Sequence, residues 1–177
     1  ASFTREVSRP DLLLIAALLH DIGKGWPGDH SVTGEIVAPG IGARMGLPPA
    51  DVDVLATVVR HHLLLPETAT RRDLDDPVTI QRVAEAVGSR EVLELLAALA
   101  VADGHATGPA AWNSWKAGLV ADLVRRVRSV LSGTPPPPAP TLSPEQAALA
   151  RHGGGAVRVV GGSVTVVAPD RPGLLWR

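Results

Sequence analysis

Residues 11–25 read DLLLIAALLHDIGKG. Asp11 to Leu19 is apolar on every side, the pattern of a buried helix rather than an amphipathic one. Pro10 stands where a first-turn proline is tolerated. The run closes on His20-Asp21, and Gly23 and Gly25 then stop the helix and open a loop through Pro27 and Gly28. Two ionisable side chains at the end of a buried helix are costly to leave without partners. Imidazole and carboxylate are also ligand types for a divalent cation.

Downstream, Asp29 or Ser31 can cap the next helix. Pro39-Gly40 interrupts it and predicts a kink or two short helices. Pro48-Pro49 launches a helix with Val52, Leu55, Val59 and His62 on one face. Leu65 to Asp76 is polar and reads as a loop. Asp76-Pro77 starts another helix, closed by Gly88, and Ser89 caps the one after it. Val92 to Ala102 is again apolar nearly all round and delivers Asp103 at its end. Gly108-Pro109 begins the last long helix, with Trp112, Trp115, Leu119, Leu123, Val127 and Val130 as its inward stripe and Gly133 as its stop.

Thr134 to Pro140 reads TPPPPAP, an extended spacer that cannot join a helical core. Ser143-Pro144-Glu145-Gln146 fits a capping box for a short helix ending at Gly153. Ala156 to Val160 and Val164 to Val167 are β-branched runs split by Gly161-Gly162, a hairpin signal. A hairpin alone is marginal, so this second unit is expected to be the start of something larger. The expected organisation is therefore a helical domain over 1–133, a Pro-rich linker over 134–144 and a truncated α/β unit over 145–177.

Composition agrees with a mainly α protein. The chain has 177 residues, 45% hydrophobic and only 3% aromatic, and a formal net charge of −1. Near-neutrality argues against a dominant nucleic-acid-binding face, so no DNA partner is expected. Cysteine is absent, which removes disulfides and cysteine–zinc sites. No apolar run is long enough to span a bilayer and no signal peptide opens the chain, so a soluble cytoplasmic protein is expected. The chain begins at Ala1 and its single methionine is Met45, the expectation for an internal slice of a larger protein. Residues 1–118 hold 15 acids against 10 Lys and Arg, together with five of the six histidines, consistent with a cation site or with a solvated surface.

The candidate ligands are His20, Asp21, the inward-facing His62 and Asp103. Two buried helices that each end in a carboxylate can bring Asp21 and Asp103 together, and a cation would relieve their repulsion. His30 follows the Gly-rich loop, and His61 lies about 100° from His62 on the helical wheel. These two are candidates for a second ion. Lys24, just past the metal pair, can reach a phosphate as a point charge. Arg71 and Arg72 can hold a phosphate bidentately, and Lys116 is a further phosphate candidate. His105 and His152 read as solvated.

HDIGKG at residues 20–25, followed by GDHS at 28–31, resembles the HD-domain metal phosphohydrolase superfamily. RHHLLLPETATRRDLDDP (60–77), VADGHAT (101–107) and WNSWK (112–116) narrow the resemblance to the HD domain of bifunctional PII uridylyltransferase/uridylyl-removing enzymes. VTVVAPDRPGLLWR (164–177) resembles the opening of their first ACT domain. The resemblance implies an HD helical bundle followed by an ACT-like start. It implies metal-dependent hydrolysis, with Mg²⁺ or Mn²⁺, that removes a uridylyl group from the PII signalling protein. Glutamine would act as effector through the ACT region. Carried over by position, His20, Asp21 and Asp103 match the metal-binding HD residues. His30, His61 and His62 match the extra histidines of two-metal relatives. Asp21 and Lys24 take the catalytic positions. No histidine precedes His20, where the superfamily places its first ligand, and no Gly-Ser nucleotidyltransferase motif is present, so transfer activity is not expected of this stretch. Two other readings remain open here: an HD phosphohydrolase acting on a free nucleotide, and a non-catalytic regulatory module.

Overall fold

The computed structural model describes residues 7–133, 143–151, 155–160 and 163–168. The chain divides into two compact units, Ala1–Pro137 and Pro138–Arg177. Most of the predicted linker, His152, Gly153, Gly161-Gly162 and the last nine residues lie outside the described residues.

The first unit is all helical. Its elements are α1 (Pro10–Leu19), α2 (His30–Arg44), α3 (Pro49–His61), α4 (Leu64–Arg71), α5 (Pro77–Val87), α6 (Arg90–Thr107) and α7 (Ser114–Leu131). α6 is the central element. Leu93, Leu95, Leu96, Ala98 and Leu99 are all buried, as its nearly all-round apolar sequence requires. α1, α3 and α7 pack against it, α2 lies on α3, and α4 and α5 lie on α7.

Helix boundaries follow local capping. The Asp29 side chain, rather than Ser31, caps α2 by accepting the Ser31 and Val32 N–H groups at 2.7 and 3.3 Å. Asp76 caps α5, Ser89 caps α6 and Asn113 caps α7. Gly88 ends α5 at φ 65°, a left-handed position that favours glycine.

Five expectations need correction. α2 is one helix through Pro39 rather than two short ones, and its packing on α3 holds it together despite the lost N–H. Leu65 to Arg71 is not loop. Leu65 and Ala69, four apart, are buried and anchor α4, so only residues 72–76 connect it to α5. α7 starts at Ser114, later than predicted; Leu119, Leu123, Val127 and Val130 of the expected stripe meet the core with Val120 and Val124, but Trp115 is exposed. α1 is not enclosed, since Leu14 and Leu18 are 73% and 74% exposed while Leu12, Ala16 and Leu19 are buried. An all-apolar helix wall shows that a helix can be buried, not that every side meets a partner. Lastly, Asp103 lies inside α6, which continues one turn beyond it to Thr107.

Two tertiary ties stand out. Arg9 forks onto Asp51 through two hydrogen bonds of 2.8 and 2.9 Å, pinning the start of α1 to α3. Gly104 leaves room for Trp112, because a Cβ there would fall 2.5 Å from Trp112 Cε3.

The second unit contains α8 (Pro144–Arg151), β1 (Ala156–Val160) and β2 (Ser163–Val167). Ser143 and Gln146 cap α8 reciprocally, with the Ser143 N–H donating to Gln146 Oε1 and the Gln146 N–H to Ser143 Oγ. The strands pair antiparallel, Ala156 opposite Val167 and Val160 opposite Ser163. Among the described residues, no helix is long and apolar enough to cross a membrane.

Two measurements test this packing. Gly104→Ala is expected to lower stability by about 1–3 kcal/mol through overpacking against Trp112. Gly118→Ala, in the open interior of α7, is expected to raise it by about 0.5–1 kcal/mol. Equal melting temperatures for the two variants would contradict this arrangement. The Arg9 guanidinium holds the Asp51 carboxyl below its ordinary range. The tie therefore stabilises the fold above the unfolded aspartate pKa of about 3.9 and is lost as pH falls through the lower folded value. Asp51→Asn should accordingly lower the melting temperature at neutral pH, with the difference from the parent shrinking in strong acid. A pH-independent difference would contradict the tie.

Candidate metal centre

Four helices deliver the predicted side chains to one place. His20 is the C-cap of α1 and Asp21 follows it. His30 is the first residue of α2, and His62 is the C-cap of α3. Asp103 comes from α6.

Glycines allow these elements to meet. A Cβ at Gly23 would lie 2.0 Å from the His30 carbonyl oxygen, so the turn after Asp21 sits directly on the first turn of α2. A Cβ at Gly34 would lie 2.7 Å from Val59 Cγ1, which draws α2 close to the end of α3. In the sequence Gly23 reads as a helix stop. Its larger role, close backbone approach, shows only in three dimensions.

The imidazoles are aimed by their own helices. His62 Nδ1 lies 2.8 Å from the Val59 carbonyl, and His20 Nδ1 lies 2.9 Å from that of Ala17. A carbonyl only accepts, so each Nδ1 carries a proton, and that bond turns each Nε2 toward the cluster. His62 Nε2 then lies 3.3 Å from His30 Nε2 and 3.7 Å from Asp21 Oδ1. His30 Nε2 is 3.6 Å from the same Asp21 oxygen. Asp21, His30 and His62 place one ligand atom each within 4.8 Å of one another. His20 Nε2 adjoins this group, 3.2 Å from Asp21 Oδ2 and 3.6 Å from Asp103 Oδ1.

Electrostatics suit a cation. Burial holds the His62 imidazole below its ordinary pKa, and the neighbouring histidines add to this against the pull of the Val59 carbonyl and Asp21. A neutral imidazole is the form that ligates. Burial pushes the Asp21 carboxyl up, but the 2.5 Å hydrogen bond from Lys24, then the attraction of His20, Lys24 and His62 in their charged forms, outweighs it and brings it below its usual range. His62 is buried, whereas the Asp21 side chain keeps 33% of its exposure, so the cluster has a protected floor and an open mouth. Two imidazole nitrogens and a carboxylate oxygen fit a divalent ion in which nitrogen ligation is favourable.

Not every candidate converges. His61, the last residue of α3, stands outside the triad. Burial, then Arg60, lowers its pKa. Lys116 donates to the Ala111 carbonyl at 2.7 Å and braces the turn before α7. Arg71 and Arg72 lie at the far end of α4, about 10 Å along the helix from the His62 end. His105 is exposed beside Trp112.

The HD domain family matches residues 2–108. The chain belongs to the HD-domain family. HD domains are metal-dependent, and the Asp21–His30–His62 triad is a matching donor set. The chain is 66% identical over 152 residues to the bifunctional uridylyltransferase/uridylyl-removing enzyme of Streptomyces coelicolor, covering 85% of this chain and 18% of that one. To the enzyme of the same name from Mycobacterium tuberculosis it is 50% identical over 182 residues, covering 99% and 22%. To that from Gluconobacter oxydans it is 49% identical over 121 residues, covering 68% and 13%. The chain thus spans about a fifth of the length of the first two of these relatives.

Titration calorimetry with Mn²⁺ tests the HD triad. Asp21→Asn and His62→Ala are each expected to weaken binding beyond the roughly 10- to 100-fold typical of losing a supporting partner. Gly23→Ala should weaken it too, with helicity retained, by moving Asp21 away from His30. Unchanged affinity in all three variants would remove this cluster as the site.

Proposed function

We propose that this chain is the uridylyl-removing part of a bifunctional uridylyltransferase/uridylyl-removing enzyme, hydrolysing the nucleotidyl phosphodiester on the PII signalling protein. The observation that carries the reading is the Asp21–His30–His62 triad on HD helices, in a chain 66% identical to a relative of that name. Glutamine as effector through an ACT region, and a cytoplasmic setting, belong to the same proposal.

Asp21, His30 and His62 would hold the ion, with His20 and Asp103 beside them. When bound, such an ion lowers the pKa of a water and polarises the phosphoryl oxygen. Two imidazoles among the donors favour Mn²⁺ over Mg²⁺, which prefers oxygen ligands. His62 is fixed by the Val59 carbonyl, so its lone pair stays aimed without reorganisation. Lys24 is exposed and holds Asp21 in place. Its ammonium is positioned to contact a phosphoryl oxygen entering at the open mouth.

The test is incubation of the whole protein with uridylylated PII and Mn²⁺, following release of UMP. Release that falls by about a hundredfold or more in Asp21→Asn and His62→Ala supports the reading. Release that survives both substitutions overturns the metal mechanism. Turnover of free nucleotides without release from PII would replace it with a free-nucleotide phosphohydrolase, and neither activity would leave a regulatory module.

A further inference from the structure

A second concave site lies away from the metal triad. α4 and α5 face each other across a cleft of about 490 Å³. Leu64, Thr68 and Arg71 line one wall, Thr79, Arg82 and Val83 the other, and the turn from Arg72 to Asp76 closes one end. Its volume falls in the range of small-molecule sites.

The charges of this turn divide by role. Every carboxylate in RRDLDDP already has a structural task. Asp73 accepts the Asp75 N–H at 2.9 Å. Asp75 pairs with Arg126 of α7 at 2.9 Å. Asp76 takes the Val78 N–H and the Thr79 hydroxyl at the start of α5. Leu74 packs on the core. The turn is therefore tied down at four successive residues. The arginines are not used in this way. Arg71 makes one 3.5 Å contact with Glu67, Arg72 and Arg82 make no ion pair within 4 Å among the described residues, and Arg82 acts on Asp76 only through its charge; Asp73 and Asp76, which also line the cleft, are held by the turn. The Thr68 hydroxyl makes no hydrogen bond among them either. Three guanidiniums beside a braced turn, with the Thr68 hydroxyl between them, match the oxygens of a phosphate. Leu64 on one wall, with Val83 behind the other, adds apolar lining that suits a sugar or base.

We propose that this cleft binds a nucleoside phosphate at a site separate from the metal triad. None of its lining residues belongs to that triad. It does not rest on the uridylyl-removing reading, so UMP release and cleft binding can each fail while the other stands.

The experiment is titration of ATP, and of pyrophosphate as competitor, into EDTA-treated protein, followed by calorimetry and amide chemical shifts. Saturable ATP binding is expected, displaced by pyrophosphate, with shifts centred on Thr68, Arg72, Thr79 and Arg82. An Arg72→Gln/Arg82→Gln variant, checked for unchanged circular dichroism, should weaken it by at least about tenfold. Asp21→Asn should leave it unchanged. No saturable binding, binding that survives the double arginine variant, or binding lost in Asp21→Asn alone would overturn the proposal. Pyrophosphate binding as tight as ATP binding would overturn the nucleoside part.

Discussion

The close seating of Gly23 on the first turn of α2 is the constraint on which the centre depends. A Cβ at that position would lie 2.0 Å from the His30 carbonyl oxygen, well inside any tolerable contact. With hydrogen in its place, the turn after α1 lies flat on the start of α2, and Asp21 comes to stand beside His30. Gly34 repeats the device at the next junction, where Val59 Cγ1 fills the space a side chain would need. Three helix termini thereby reach one point without a long loop between them.

The histidines then do two things at once. The last carbonyls of a helix lack intrahelical partners. His20 and His62 satisfy such carbonyls three residues back, at Ala17 and Val59, through Nδ1–H. The same bond turns each Nε2 toward the cluster. Helix termination and ligand orientation are thus one interaction. Imidazole nitrogens and the Asp21 and Asp103 carboxylates converge there, with Lys24 on Asp21. A divalent cation at that point would be balanced by the carboxylates and bound by the imidazoles.

Legibility in the sequence followed how local the cause was. Caps at Asp76, Ser89 and Ser143, the stop at Gly88 and the presence of a hairpin over 156–167 depend on neighbours within a few residues, and all are legible in the sequence. α4 was hidden because its apolar anchors number only two, Leu65 and Ala69, in an otherwise polar stretch. The stripe of α7 is legible at Leu119, Leu123, Val127 and Val130, which meet the core, and fails only at Trp115, which is exposed. In the fold Trp112 precedes the helix and fills the space over Gly104. α1 misled for the opposite reason, since uniform apolarity carries no information on which side meets a neighbour.

By itself, the sequence determined a helical domain, a change to β-branched runs after the proline-rich stretch, and a His-Asp pair closing an apolar helix. Those follow from periodicity, capping and ligand chemistry, which act over a turn or two. Only the tertiary structure decided which candidates share a site. Asp21, His30 and His62 converge, His20 and Asp103 adjoin them, while His61, Lys116 and the Arg71–Arg72 pair go elsewhere. The physical reason is that convergence is set by helix packing across residues tens of positions apart. The contacts that permit it, at Gly23 and Gly34, consist of atoms a sequence does not contain.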